Sequence, residues 1–250
     1  MNKNIGKIGA ILLYVVFYVT AYLLVAMVGM MFIQQFPFLQ GWIGALAMLF
    51  AGGAVFLLLP DKKELVKVPQ KPVFISLCVI FLALGVSVGM NFLMGMIPWE
   101  QIEGANVTQD NEAMFGIPFY VRILAYVVAA PLSEEILFRG IIFRKTKEFI
   151  PLWGAILISA LAFALYHGNL QQGLYAFVCG VILAWVYHVS DSFWMPVLFH
   201  ASANLIVNLA FEFTAVQKVV YSVPALAVLA VLAVLSAFLL NSASSRTLEK

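Results

Sequence analysis

The sequence predicts an all-α fold, a single polytopic membrane bundle over 1–250 with about eight transmembrane helices and both termini in the cytoplasm. Three observations carry that expectation. Of the 250 residues 64% are apolar and 10% charged, against about 25% charged in a soluble domain. Apolar runs of about 20 residues, the length of one bilayer crossing, recur along the whole chain. Basic residues gather in alternate gaps between those runs. A net charge of +2 with no basic face gives no reason to expect a nucleic-acid partner. The lipid bilayer is the partner that composition implies, and oligomeric state is not readable from the sequence.

The runs place spans over 9–33, 39–59, 73–97, 118–143, 151–168, 170–189, 193–211 and 218–240. The first is too long for the 7–15-residue apolar core of a cleavable signal, so it is read as a retained helix. Only His167, Gly168 and Asn169 separate the fifth run from the sixth, and a re-entrant pair is the alternative there. Lys3 and Lys7 precede span one; Lys62, Lys63, Lys67 and Lys71 follow span two; Arg144, Lys145 and Lys147 follow span four. Between spans three and four stand Glu100, Glu103, Asp110 and Glu112 with no basic residue. Positive charge favours the cytoplasmic side, so this alternation sets the orientation. The sequon Asn106, Val107, Thr108 falls on the predicted outer loop. Cys78 and Cys179 lack metal or redox spacing and read as packing residues.

Prolines 118, 151 and 196 lie near helix starts, where a missing N–H costs little. Pro131 lies inside span four. It should leave the Val127 carbonyl without its helical donor and kink the helix at membrane depth, which is tolerated where backbone is covered by protein or lines a wet cavity.

Three residues after Pro131 begins Glu134-Glu135-Ile136-Leu137-Phe138-Arg139. Each charge at the bilayer centre costs about 2.5–3.5 kcal/mol on insertion scales, so these three must face the bundle interior, water or one another. Glu135 and Arg139 stand four apart on one helical face and form the natural ion pair, whereas Glu134 points about 100° away and is left to meet water or substrate. A purely structural knot would need one acid and one base; this run has a spare carboxylate. Ser159, Phe163 and His167 form a stripe of span five, each four residues apart, and span seven sets His200 beside Asn204 in the same spacing. By helical rise Glu134 lies about 15 Å from the cytoplasmic edge, with His200 and Asn204 at similar depth and His167 somewhat deeper. His188, at the cytoplasmic end of span six, reads as interfacial.

These residues make three motifs in order: EExxxR at Glu134, Glu135 and Arg139; FxxxH at Phe163 and His167; HxxxN at His200 and Asn204. In this order, on spans four, five and seven, residues 118–210 resemble the intramembrane glutamic endopeptidases related to the type II CAAX prenyl proteases, also called the CPBP, bacteriocin-processing or Abi family. The resemblance implies hydrolysis of a peptide bond in a peptide, membrane-protein or CAAX-like substrate. It implies that Glu134 with His167 activates a water, that His200 and Asn204 steady the oxyanion, that Glu135 and Arg139 hold the base, and that Phe163 shapes the pocket. It implies no cofactor.

A zinc protease is the nearest rival, with Glu134, His167 and His200 as ligands and water in the fourth position, although no HExxH is present. Intramembrane ionisable residues and a kinked helix also mark proton-coupled transporters, but no repeated halves are visible. A non-catalytic scaffold is the third reading. Cytoplasmic access for a CAAX-like substrate is compatible with the depth of Glu134, and a bacterial plasma membrane is the expected location.

Overall fold

The computed structural model describes residues 3–36, 39–103 and 116–248. Every regular element among them is helical. The long helices are α1 (Lys3–Ile33), α2 (Gln40–Leu58), α3 (Pro72–Met94), α4 (119–146), α5 (Leu152–Tyr166), α6 (Leu170–Ser190), α7 (Trp194–Glu212) and α8 (Val223–Leu248). Shorter turns of helix at Lys62–Val66, Trp99–Glu103 and Thr214–Val220 sit between them. A helix thus stands at each of the eight places the apolar runs indicate. By length and apolarity α1, α2, α3, α6, α7 and α8 are each able to cross a bilayer; α5 is apolar but has 15 residues, about 22 Å of helix. The chain is an integral, multi-pass membrane protein. The last helix starts at Val223 rather than 218, because the chain turns at Tyr221 and Ser222 and Pro224 occupies the new first turn. The sequon and the acids Asp110 and Glu112 lie outside the described residues.

Helix α4 is the centre of the bundle and touches α1, α2, α5, α6 and α7, while α3 carries α7 on one side and α8 on another. On either side of Pro131 the regular i→i+4 pattern on which the expected kink rests is not kept. Instead α4 changes winding: Ile123–Ala129 and Ile136–Phe143 are π-helical, with α-helical turns before, between and after. In the π register a carbonyl is paired with the N–H five residues on, as Ala125 is with Ala130. The donor due to the Tyr126 carbonyl would then be residue 131, a proline with none. The carbonyl left over beside the proline is therefore that of Tyr126, and Asn204 Nδ2 of α7 donates to it at 2.7 Å.

Two close approaches fix α4 and α5 against their neighbours. A Cβ on Gly52 would lie 2.8 Å from the Ser133 Cα, so α2 lies directly against the turn that precedes Glu134. A Cβ on Gly180 would lie 3.0 Å from the Ala160 Cα, so α6 presses on α5 just as tightly. Small residues of this kind let membrane helices pack backbone to backbone.

One end of the bundle is held by ion pairs between loops: Lys7 with Glu148 at 2.9 Å, Lys67 with Asp191 at 2.9 Å and Arg144 with Asp61 at 2.6 Å. They gather the start of α1 and the connections α2–α3, α4–α5 and α6–α7 at one end, the grouping that the lysine-rich gaps imply. At the opposite end Arg122, buried against the rings of Phe119 and Phe211, pairs with Glu212 at 2.6 Å. There the α5–α6 connection is only three residues. Gly168 takes φ +80°, a left-handed conformation that suits glycine. Asn169 accepts from the Gln172 N–H at 2.8 Å, and both oxygens of Glu103 accept from the N–H groups of Leu170 and Gln171. Three of the four free N–H groups that open α6 are thereby satisfied, and a carboxylate sits at its positive end.

Candidate active site

The three motifs converge at the middle of α4. Arg139 is completely buried and donates to Glu135 Oε1 at 3.0 Å and to the Gly180 carbonyl at 3.1 Å, with its guanidinium 4.6 Å over the Phe163 ring. The i,i+4 pair expected from spacing is thus present, and it also ties α4 to α6 and to the phenylalanine of the second motif. Glu135, also fully buried, accepts a second time on Oε1, from His200 Nδ1 at 2.9 Å. A carboxylate already paired with arginine only accepts, so the proton on that histidine nitrogen belongs to Nδ1 and the ring turns Nε2 the other way. Nε2 lies 3.8 Å from Glu134 Oε2, too long for a hydrogen bond and close enough for a charge interaction.

Glu134 differs from its neighbour in every respect but chemistry. It is 5% exposed, and among the described residues its side chain has no hydrogen-bond partner. It borders a cavity of about 720 Å³ that also takes in Phe163, His167, His200 and Asn204. His167 follows the last turn of α5 and pairs Nδ1 with the Phe163 carbonyl at 2.8 Å. A carbonyl accepts, so Nδ1 again carries the proton and Nε2 is left as a lone-pair acceptor. The rings of Phe163 and His167 meet edge to face at 4.7 Å, and those of Phe163 and His200 at 5.7 Å. Phe163 is therefore the shared wall on which both imidazoles rest. Asn204 spends one of its two amide hydrogens on the Tyr126 carbonyl, which leaves one for the cavity.

All seven residues of the three motifs come together. Glu135 and Arg139 do so differently from the sequence expectation: the carboxylate holds His200 and the guanidinium holds the α6 backbone, with no hydrogen bond from either to Glu134. Among the described residues no three His, Cys, Asp or Glu side chains are grouped closely enough to hold a metal ion as they stand. Ser159 donates to the Phe138 carbonyl and stands outside the cavity. His188 lies beside Lys147 at the basic end, as expected of an interfacial residue.

Sequence reasoning missed a support on the far side of Glu134. Ser133 Oγ donates to the Met48 carbonyl at 2.6 Å and meets the Tyr18 hydroxyl at 2.8 Å, which joins α1, α2 and α4. It also missed Asn208, a cavity residue one helical turn beyond Asn204 whose Nδ2 donates to the Asn204 carbonyl and whose Oδ1 is buried without a partner. The spacing His200, Asn204, Asn208 was the available signal.

Residues 116–206 match the family described as type II CAAX prenyl endopeptidase Rce1-like. An 87-residue stretch, 35% of this chain and 36% of the relative, is 31% identical to "Putative membrane peptidase YdiL" of Bacillus subtilis. A 140-residue stretch is 28% identical to "UPF0177 protein YxdF" of Lactococcus lactis, covering 54% of this chain and 75% of that protein. The chain thus spans little more than a third of the first relative's length. No solved structure matches. The matched region contains all three motifs, and it supports the family resemblance that they carry.

Proposed function

We propose that this chain, whose residues 116–206 match the Rce1-like endopeptidase family, is an intramembrane protease that cleaves a membrane-associated polypeptide with a water activated by Glu134 and His167. The observation that carries the reading is the contrast within one dipeptide. Glu135 is held through Oε1 by Arg139 and His200 and faces no cavity, whereas Glu134 borders a cavity with no hydrogen-bond partner among the described residues. A general base has to reach a water and the proton it gives up, and of the two only Glu134 borders the cavity.

The division of labour follows from the hydrogen bonds. Water held between Glu134 and the Nε2 lone pair of His167 attacks the scissile carbonyl carbon as its proton passes to the carboxylate. The negative charge that grows on the carbonyl oxygen is met by the second amide hydrogen of Asn204 and, when the imidazole carries a proton on both nitrogens, by the N–H of His200 Nε2. Donors held in place before charge develops are worth about 3–4 kcal/mol each in such sites. Glu135 and Arg139 act at one remove, by fixing the ring of His200. The departing amine recovers the proton from Glu134. No metal enters this scheme, and the bacterial relatives suit a plasma-membrane location.

Mapping protein N-termini in membranes that contain the wild type or Glu134→Ala tests the reading. Termini present only with the wild type would identify the substrate, and a complete absence of such termini would overturn the proposal. Activity of the purified protein should survive stringent chelation; a loss restored by zinc alone would reinstate the metal-dependent alternative.

A further inference from the structure

Helix α4 runs from the end of the bundle near Glu100 and Glu103 to the end with the basic loops, and its two halves are packed differently. Every residue of Ile136–Phe143, the half towards the basic end, is buried. Leu65, Phe138, Ile141 and Phe143 fill the space there with essentially no exposure. In Ile123–Ala129, the other half, only Ala125 and Ala129 are buried. The cavity follows that difference. Beyond Glu134 its walls are Asn91 near the end of α3, Gln171 and Gln172 at the start of α6, and Asn208 near the end of α7. All four lie at the end opposite the ion-paired basic loops.

The charges identify the two ends. Nine lysines and arginines (Lys3, Lys7, Lys62, Lys63, Lys67, Lys71, Arg144, Lys145 and Lys147) belong to the closed end. At the open end stand Glu100, Glu103 and Glu212, with Arg122 neutralised by Glu212 and Lys218 as the further basic residue among the described ones. Basic residues stay in the cytoplasm. We infer that the cavity receives its substrate from the non-cytoplasmic side, and that the substrate is an uncharged segment of an exported or outward-facing polypeptide. This rests on the protease reading and replaces the cytoplasmic access that the depth of Glu134 alone allows.

The lining supports a polypeptide with neutral side chains. Its polar groups towards that end include four carboxamides, Asn91, Gln171, Gln172 and Asn208, and the Tyr166 hydroxyl, all of which donate and accept and so suit a peptide backbone. Asn208 is 4% exposed and its Oδ1 has no donor among the described residues, which leaves it as an acceptor for a substrate N–H. Among the described residues that line it, Glu134 is the one acid and there is no lysine or arginine.

Thiol labelling in intact cells tests the side of entry. In a background with Cys78→Ala and Cys179→Ala, single cysteines replace Gln171, Asn91 or, as the basic-end control, Lys63. A membrane-impermeant sulfonated maleimide should label Gln171→Cys and Asn91→Cys in intact cells, and Lys63→Cys only after permeabilisation. The reverse pattern overturns the inference, and two mouth positions guard against one variant failing to fold. Mapped cleavage sites supply the second arm. Glu134-dependent sites on outward-facing segments support the inference. Such sites on cytoplasmic segments overturn it and leave the protease reading intact, and no Glu134-dependent site at all removes both.

Discussion

The two halves of α4 share one helix and the same π winding, yet one is packed on all sides and the other lines a cavity. Ile136–Phe143 is sealed on every side, while Ile123–Ala129 is buried at two positions only and borders the cavity through Tyr126. Glu134 and Glu135 stand at the boundary and divide along it. The glutamate turned into the packed side is locked by two hydrogen bonds; its neighbour looks into open space. The difference teaches that reactivity here comes from withheld partners rather than from residue type, because burial with partners makes a carboxylate structural and burial without them leaves it available.

The packed side should fail hardest. Arg139→Ala leaves Glu135 buried with His200 as its remaining partner and removes the link to α6, a loss of about 3–5 kcal/mol for a broken buried pair. The protein should accumulate poorly or melt far lower in detergent. A normal melting temperature would show that the pair is dispensable for packing. Next in size, Gly52→Ala should force α2 away from Ser133 and cost about 1–3 kcal/mol, as overpacking does. It should also lower cleavage by shifting the turn before Glu134. An unchanged rate would mean that this contact does not position the site.

On the open side the expected effects are smaller and more specific. If the Tyr126 carbonyl relies on Asn204 because Pro131 has no N–H, then Pro131→Ala should reduce the stability cost of Asn204→Ala. A double-mutant cycle in detergent should give a coupling of about 0.6–1.7 kcal/mol, the range for interhelical hydrogen bonds in membranes; additive effects would break that account. The smallest effect belongs to the surface. Partial burial raises the Asp61 carboxyl, but the Arg144 guanidinium outweighs this and holds it below the usual carboxylate range. A carboxylate lowered by folding stabilises the protein above its unfolded value, and the gain is lost as pH falls through the folded one. Asp61→Asn should therefore cost less than about 1 kcal/mol at neutral pH, as exposed pairs do, and nothing at strongly acid pH. An equal effect at both would exclude the charge as its cause.

Much of this was legible in the residues. Apolar run lengths place all eight helices, and the i,i+4 spacings of Glu135 with Arg139, Phe163 with His167 and His200 with Asn204 identify the site, because a helix repeats its face whatever surrounds it. Three features were not legible. The π turns of α4 depend on packing, so the carbonyl freed by Pro131 moved from Val127 to Tyr126. The hydrogen bond between Glu135 and His200 joins residues 65 positions apart, and no local spacing reports it. Depth counted along a helix says nothing of how each end is packed, so the burial of Leu65 and Phe143 around α4 was not readable.

The division between the two glutamates is tested most directly by Glu134→Gln, assayed for cleavage and for thermal stability in the same preparation. The amide keeps the shape of the side chain and removes the base. Cleavage should fall by about 10²–10⁴-fold, the usual worth of a general base, while the melting temperature stays close to wild type because no protein hydrogen bond is lost. A variant that still cleaves at a comparable rate would contradict the assignment of Glu134 as the base, and one that unfolds would show that Glu134 is structural after all.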